Sequence, residues 1–283
     1  MMLSEIHLRD PFILKHNDRY YLYGSRADGI QEGFDVYVSR DLKNFSNPSA
    51  VFEKNTDFWG KKQFWAPEVY YVDGRFYMFA TFKADGICRS TDILVSDKPE
   101  GPFKAVSENR YTPADWETLD GSLYIDAGGK KHMIFCHEWV DEGIGTICET
   151  ELNNDMTRSV SEPRVLFKAT DAEWAVGIHS GKHFITDGPF MYRGKNLYML
   201  WSSFGKNGYT VGTAVSDNGE IDGNWHQQSR PLYEADGGHG MIFTDFNGKT
   251  YLIIHSPNTN SEHPVLFEIY EENDELKIIN RNV

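Results

Sequence analysis

Short apolar runs broken by polar turns recur along the 283-residue chain, and five of them share one design. Each begins with a strand-like run, passes a turn, and resumes in a second run rich in aromatic residues. Asp10-Pro11-Phe12-Ile13-Leu14 precedes Tyr20-Tyr21-Leu22-Tyr23, and Ala66-Pro67-Glu68-Val69-Tyr70 precedes Phe76-Tyr77-Met78-Phe79. Asp120-Gly121-Ser122-Leu123-Tyr124 precedes His132-Met133-Ile134-Phe135, and Asp187-Gly188-Pro189-Phe190-Met191 precedes Leu197-Tyr198-Met199-Leu200. His239-Gly240-Met241-Ile242-Phe243 precedes Tyr251-Leu252-Ile253-Ile254. The pairs between them, Asn17-Asp18, Asp73-Gly74, Gly128-Gly129, Arg193-Gly194 and Asn247-Gly248, supply the left-handed residues that tight hairpins need.

The segments start at residues 10, 66, 120, 187 and 239, a period that suits a four-stranded propeller blade. A third strand ending in a turn follows in Val36–Asp41, Ile93–Asp97 and Thr213–Asp217, with weaker versions at Thr146–Cys148 and Val265–Phe267. Phe45, Phe103 and Trp225 then stand where a fourth strand would open. No stretch reads as a long amphipathic helix. The expected fold is all-β: a five-bladed propeller of antiparallel blades around a central channel, forming one domain over residues 1–283.

Composition narrows the partners. A net charge of −14 argues against nucleic acid, which demands clustered Lys and Arg, and against an anionic membrane surface. A neutral glycan is indifferent to that charge. Three cysteines, far apart and without a CxxC pair, argue against a disulfide framework. No basic segment followed by an apolar run opens the chain, so no signal peptide is visible and a cytoplasmic location is expected.

In a propeller the first strand of each blade lines the channel and begins on one face. Counting back from the aromatic strands places Asp10, Ala66, Asp120, Asp187 and His239 at equivalent entrance positions, four of them ionisable. A single Asp before Pro or Gly is an ordinary turn residue. Three aspartates and a histidine around one channel are better explained by chemistry. Second strands run back to the same face, which brings Arg26, Glu138, Trp201, Ser202 and His255 to the rim. Glu68 lies two residues beyond Ala66 and shares its side of the strand. Trp65 offers a ring for stacking on a sugar, with inter-blade packing as the plainer alternative.

Glycosidic hydrolysis needs one ionised carboxylate and one protonated carboxyl, with their pKa values pushed apart. A third carboxylate raises the acid's pKa by repulsion. An all-carboxylate metal site is the competing reading. With His239 as its sole nitrogen donor, it would favour Ca²⁺ or another hard cation in the channel.

At these residues the sequence resembles glycoside hydrolase family 43, five-bladed propellers acting on arabinose- and xylose-containing glycans. The resemblance covers essentially the whole chain and implies no cofactor for the chemistry. Arg9-Asp10-Pro11 resembles the motif of the general base of an inverting mechanism. Leu119-Asp120-Gly121 resembles that of the Asp which raises the acid's pKa. Thr186-Asp187-Gly188-Pro189 resembles the family's Glu-Gly-Pro, whose Glu is the general acid, and Gly238-His239-Gly240 the segment whose His often helps hold a cation or its water shell. Trp65-Ala66-Pro67-Glu68 resembles a segment at the sugar pocket. Asp187 departs from the pattern by one methylene, so the acid is Asp187, Glu138 or Glu68. The implied activity is an inverting α-L-arabinofuranosidase, with β-xylosidase, endo-arabinanase or a non-catalytic glycan-binding propeller as alternatives.

Overall fold

The computed structural model describes residues 1–26 and 32–279. Five four-stranded antiparallel sheets, each built from consecutive strands, form the blades. Blade one comprises β1 (Leu8–His16), β2 (Arg19–Arg26), β3 (Gly33–Ser39) and β4 (Ser49–Glu53). Blade two comprises β5 (Lys62–Val72), β6 (Arg75–Ala84), β7 (Ile87–Ser96) and β8 (Lys104–Ala105). Blade three comprises β9 (Thr118–Ile125), β10 (Lys131–His137), β11 (Thr146–Leu152) and β12 (Arg164–Lys168). Blade four comprises β13 (Asp187–Arg193), β14 (Leu197–Gly205), β15 (Gly208–Ser216) and β16 (Trp225–Gln227). Blade five comprises β17 (Gly238–Thr244), β18 (Thr250–Ser256), β19 (His263–Glu272) and β20 (Glu275–Ile278).

The five-bladed propeller is thus the fold, and its hairpins match the alternating runs in the sequence. Trp225 opens β16 and Phe103 directly precedes β8, as their aromatic character predicts. Phe45 differs: it forms an isolated bridge with Ser39 and is buried ahead of β4. The third strands of blades three and five, weak in the sequence, are full strands. Among the described residues no helix is long and apolar enough to cross a membrane.

Aromatic residues fill the seams between blades. Phe34, Phe52, Phe64 and Phe82 interlock between blades one and two, with the Phe64 and Phe82 rings 5.0 Å apart and edge to face. No blade mixes strands from the two ends of the chain, so the ring is closed by packing and by side-chain hydrogen bonds such as Arg9 to Asn258 rather than by strand pairing. Leu8, Ile13, Met241 and Ile242 share one buried cluster across that closure. Deeper in the channel, Phe12, Phe190 and Met241 are buried, and the Tyr70 ring lies 5.2 Å from that of Phe12. These side chains fill the middle of the disc.

The feature that shapes the channel mouth recurs five times. The register between first and second strands shifts at Asp10-Pro11, Ala66-Pro67, Asp120-Gly121, Gly188-Pro189 and His239-Gly240. At each, two residues face one, which is a β-bulge that bends the strand and re-aims a side chain. The first residue of every bulge is left-handed, with φ of 53°, 45°, 56°, 53° and 45° in that order. Four of the five are not glycine, so each stores about 1–3 kcal/mol of strain that the surrounding sheet must overcome. The second residue is always Pro or Gly.

This register corrects one sequence expectation. Gly188, not Asp187, is the blade-four equivalent of Asp10, Ala66, Asp120 and His239. The hairpin of blade four is one residue shorter than those of blades one and two, so a fixed count overshoots. Gly188 is also the residue that fits: a Cβ there would lie 2.7 Å from Cδ2 of the His239 ring.

Candidate active site

A cavity of about 320 Å³ opens at the mouth where the bulges sit. Asp10, Asp120 and His239 reach it from the bulges of β1, β9 and β17, and Asp187 from the start of β13. Glu138 joins them from just beyond β10, and Trp65 from β5. Six sequence-expected residues therefore share one pocket: Asp10, Asp120, Asp187, Glu138, Trp65 and His239.

The three aspartates sit in different electrostatic surroundings. Burial pushes Asp10 up, but the His239 and His255 rings, Arg9 and the Ser25 hydroxyl outweigh it, holding the carboxyl below its ordinary value. Asp120 is held well above its ordinary value by burial and by the charge of Asp10, against a hydrogen bond from the Gly188 amide. Asp187 is pushed up to about 7 by burial and by Asp120, although the Tyr209 hydroxyl donates to its Oδ2 at 2.8 Å. One pocket thus holds a readily ionised carboxyl and a readily protonated one.

Two histidines flank Asp10 in distinct ways. His239 turns Nδ1 toward Asp10 Oδ1 at 3.3 Å and Asp120 Oδ2 at 3.5 Å. His255 is wholly buried behind Asp10. The Asp10 amide donates to its Nδ1 at 3.2 Å, while Nε2 lies 3.1 Å from Asn258 Oδ1. Burial lowers its pKa to about 4, so the ring is neutral at pH 7 with its proton on Nε2. His255 supports Asp10 and does not line the pocket.

Other expected rim residues lie elsewhere. Arg26 is locked by Asp35 at 2.7 Å and Glu53 at 2.6 Å, away from the cavity. Trp201 lies opposite the Gly188-Pro189 bulge, where the alternation of the strand is interrupted. It is fully buried between blades, its ring 4.7 Å from that of Trp174 and its Nε1 donating to Gln227. Glu68 is buried beneath Asp120, accepts the Tyr70 hydroxyl, and is pushed well above its ordinary pKa by burial. It does not line the cavity.

The cation expected near His239 finds a poor donor set. Among the described residues no three His, Cys, Asp or Glu side chains are grouped to hold a metal ion. His239 spends Nδ1 on the two carboxylates and packs its other edge against Gly188. The residues present do not fit a protein-ligated Ca²⁺.

Ser25, Tyr209 and Trp139 of the pocket, and Arg89 behind its wall, are not anticipated by the sequence. Ser25 donates to Asp10, and Tyr209 donates to Asp187. Arg89 sits with its guanidinium 4.8 Å from the Trp65 ring centroid, donates to Gln63, and pairs with Glu138. Burial raises Glu138 to about 7 against the pull of Arg89. Trp139 lines the cavity with His183 and His179 packed on it, so the loop bearing those histidines buttresses the rim. Arg89 and Tyr209 lie within the first three residues of the third strands β7 and β15, just past the turns that end on this face. That position carried a usable signal, because a third strand starts where a second strand stops.

A propeller with carboxyl groups of opposed proton affinity at one mouth has the architecture of a glycoside-cleaving enzyme. The chain belongs to Glycosyl hydrolases family 43, whose family model matches residues 3–274. Membership brings with it hydrolysis of glycosidic bonds, a carbohydrate substrate and chemistry without a cofactor. The chain is 40% identical to the crystal structure of an endo-arabinase from Bacteroides thetaiotaomicron, with a TM-score of 0.91 over 97% of this chain and 98% of that one. It is 24% identical to a β-xylosidase of Bacillus subtilis over 86% of its own length and 46% of the relative's, so it spans about half of that protein. It is also 23% identical to an extracellular exo-α-(1→5)-L-arabinofuranosidase of Cellvibrio japonicus, over 89% of this chain and 80% of that one.

Proposed function

We propose that this chain is an inverting glycosidase that releases arabinofuranosyl residues from plant-type glycans or oligosaccharides, with xylosyl linkages as the nearest alternative. The observation that carries this reading is that Asp10 is held below its ordinary pKa while Asp187, in the same pocket, is raised to about 7. Asp10 acts as the base that takes a proton from water, and the water attacks the anomeric carbon. Asp187 protonates the departing glycosidic oxygen from the other side. Whenever Asp120 is ionised, its charge raises the proton affinity of Asp187 and favours the protonated acid. Inversion needs the base and acid about 6.5–9.5 Å apart, with the water between them.

Glu138 is the weaker candidate for the acid. Its pKa of about 7 matches that of Asp187, but its carboxyl is engaged by Arg89, whereas Asp187 stands at the position that resembles the family's general acid. We assign it to substrate hydroxyls, beside the Trp65 ring. The likeness to an endo-arabinase at 40% identity supports arabinan over xylan and keeps internal cleavage as the second reading. Cys88, Cys136 and Cys148 are all free thiols, which supports a reducing compartment, whereas the Cellvibrio relative is described as extracellular.

The test is a panel of aryl arabinofuranosides, aryl xylosides, arabinan and xylan, with the product anomer followed by NMR. Asp10→Ala should lower kcat at least about 10²–10⁴-fold on the best substrate, with KM little changed. Undiminished turnover by that variant, or a retained anomer, would overturn the mechanism. Binding of glycans by wild type without cleavage of any would favour a non-catalytic propeller.

A further inference from the structure

Four of the five seams between blades are tied at the channel mouth in the same way. The amide of a bulge residue donates to a side chain at one fixed position on the second strand of the preceding blade. Ala66 donates to Ser25 Oγ at 2.7 Å, Asp120 to Thr81 Oγ1 at 2.8 Å, and His239 to Ser202 Oγ at 2.9 Å. Asp10 donates to His255 Nδ1 at 3.2 Å across the ring closure. Ser25, Thr81, Ser202 and His255 are equivalent, because each pairs with the residue just before its own blade's bulge: Arg9, Trp65, Asp187 and Gly238.

The fifth seam breaks the pattern. In blade three the fixed position is Cys136, paired with Leu119 and wholly buried. A thiol is a poor acceptor, and this one already meets Thr186. The bulge amide it would serve is that of Gly188, which donates to Asp120 Oδ2 at 3.0 Å instead.

We propose that Cys136 is a positioning residue: by offering no competing oxygen, it leaves the Gly188 amide free to tether the Asp120 carboxylate to the backbone beside Asp187. The tether crosses the seam between blades three and four and joins two members of the aspartate trio. It fixes which Asp120 oxygen faces that backbone, and it holds the segment that aims Asp187. Blade one shows what a hydroxyl at this position does. Ser25 accepts the next blade's amide and donates onward to Asp10, so the hydroxyl stands between the two. Serine at position 136 would copy that relay and part Asp120 from Gly188.

This deepens the catalytic reading and rests on it, so one readout is chosen to be independent of turnover. In ¹⁵N-glycine-labelled protein, the Gly188 amide proton should titrate with Asp120 and should move in Asp120→Asn. In Cys136→Ser that titration should shrink, while in Cys136→Ala it should remain. On a cleaved substrate, Cys136→Ser should lose about tenfold or more in kcat at unchanged KM, since small misplacements at a reacting centre are costly. Its basic pH limb should move as well, because Asp120 exchanges the Gly188 amide for a hydroxyl donor. Cys136→Ala should keep the wild-type profile.

A merely structural thiol predicts the opposite order, because Ala leaves a cavity that Ser nearly fills. A Gly188 signal identical in wild type and Cys136→Ser overturns the proposal, as does a Cys136→Ala variant no better than Cys136→Ser. A wild type that cleaves nothing would sink the catalytic reading and leave the amide test to decide this one.

Discussion

The Ser25 hydroxyl lies 2.5 Å from Asp10 Oδ2 while its oxygen accepts the Ala66 amide at 2.7 Å. The amide polarises the hydroxyl, and the hydroxyl donates to the carboxylate, so the charged form of Asp10 is favoured. Ser25→Ala removes that bond without touching the carboxyl. The acid limb of the pH–rate profile should move to higher pH, with turnover near pH 7 largely kept. Rate profiles of the two proteins on one substrate check this, and superimposed acid limbs would show that Ser25 does not tune Asp10.

Asp187 and Glu138 should separate by leaving group. A substrate with a poor leaving oxygen needs protonation, and an activated aryl glycoside does not. Asp187→Ala should lose about 10²–10⁴-fold on natural linkages and far less on activated aryl glycosides. Glu138→Gln should raise KM on both with a smaller effect on kcat. Steady-state kinetics on a leaving-group series decides between them, and a reversal of the two patterns would move the acid to Glu138.

The basic limb of activity should fall near pH 7. Asp187 must be protonated to act, and burial with Asp120 beside it raises its pKa to about 7, so turnover declines as pH rises through that value. Stability carries the same sign. The folded state keeps a proton on Asp187 that the unfolded chain releases near its ordinary value of 3.8. Stability from this group is therefore full below about pH 4 and is lost as pH rises toward 7. Urea unfolding at several pH values should show a shallower decline in Asp187→Asn.

Trp201→Ala should damage the fold more than the site. The side chain is fully buried between blades against Trp174 and Phe167, so its truncation should cost about 3–5 kcal/mol. Chemical denaturation reads that loss. KM for substrate should change little in whatever fraction stays folded, whereas a large rise would return Trp201 to the pocket.

The sequence carried the fold because the blade is a local unit, with alternating runs and turn pairs that mark each hairpin. Asp10, Asp120 and His239 were legible through the dipeptides Asp-Pro, Asp-Gly and His-Gly, which also mark the bulges. Asp187 was found through a count that was one residue off. The bulge and the shorter hairpin shift the register, and neither leaves an apolar signature. Arg26 and Trp201 were misplaced for a related reason. Chain direction brings a strand's end to a face, but neighbours such as Asp35, or a bulge such as Gly188-Pro189, decide where the side chain goes. Arg89 and Tyr209 were missed because their partners, Glu138 and Asp187, are distant in sequence.

The side chains that fill the middle of the disc set the traffic of the reaction. A pocket that sits at the mouth above that packed middle is entered from the mouth, by substrate on the way in and by released sugar on the way out. On the proposed release of single sugars, turnover is a queue at that mouth, and the freed sugar waits in the same place as the next chain end. Accumulating product should hold the enzyme back by occupancy alone, without any second site to receive it.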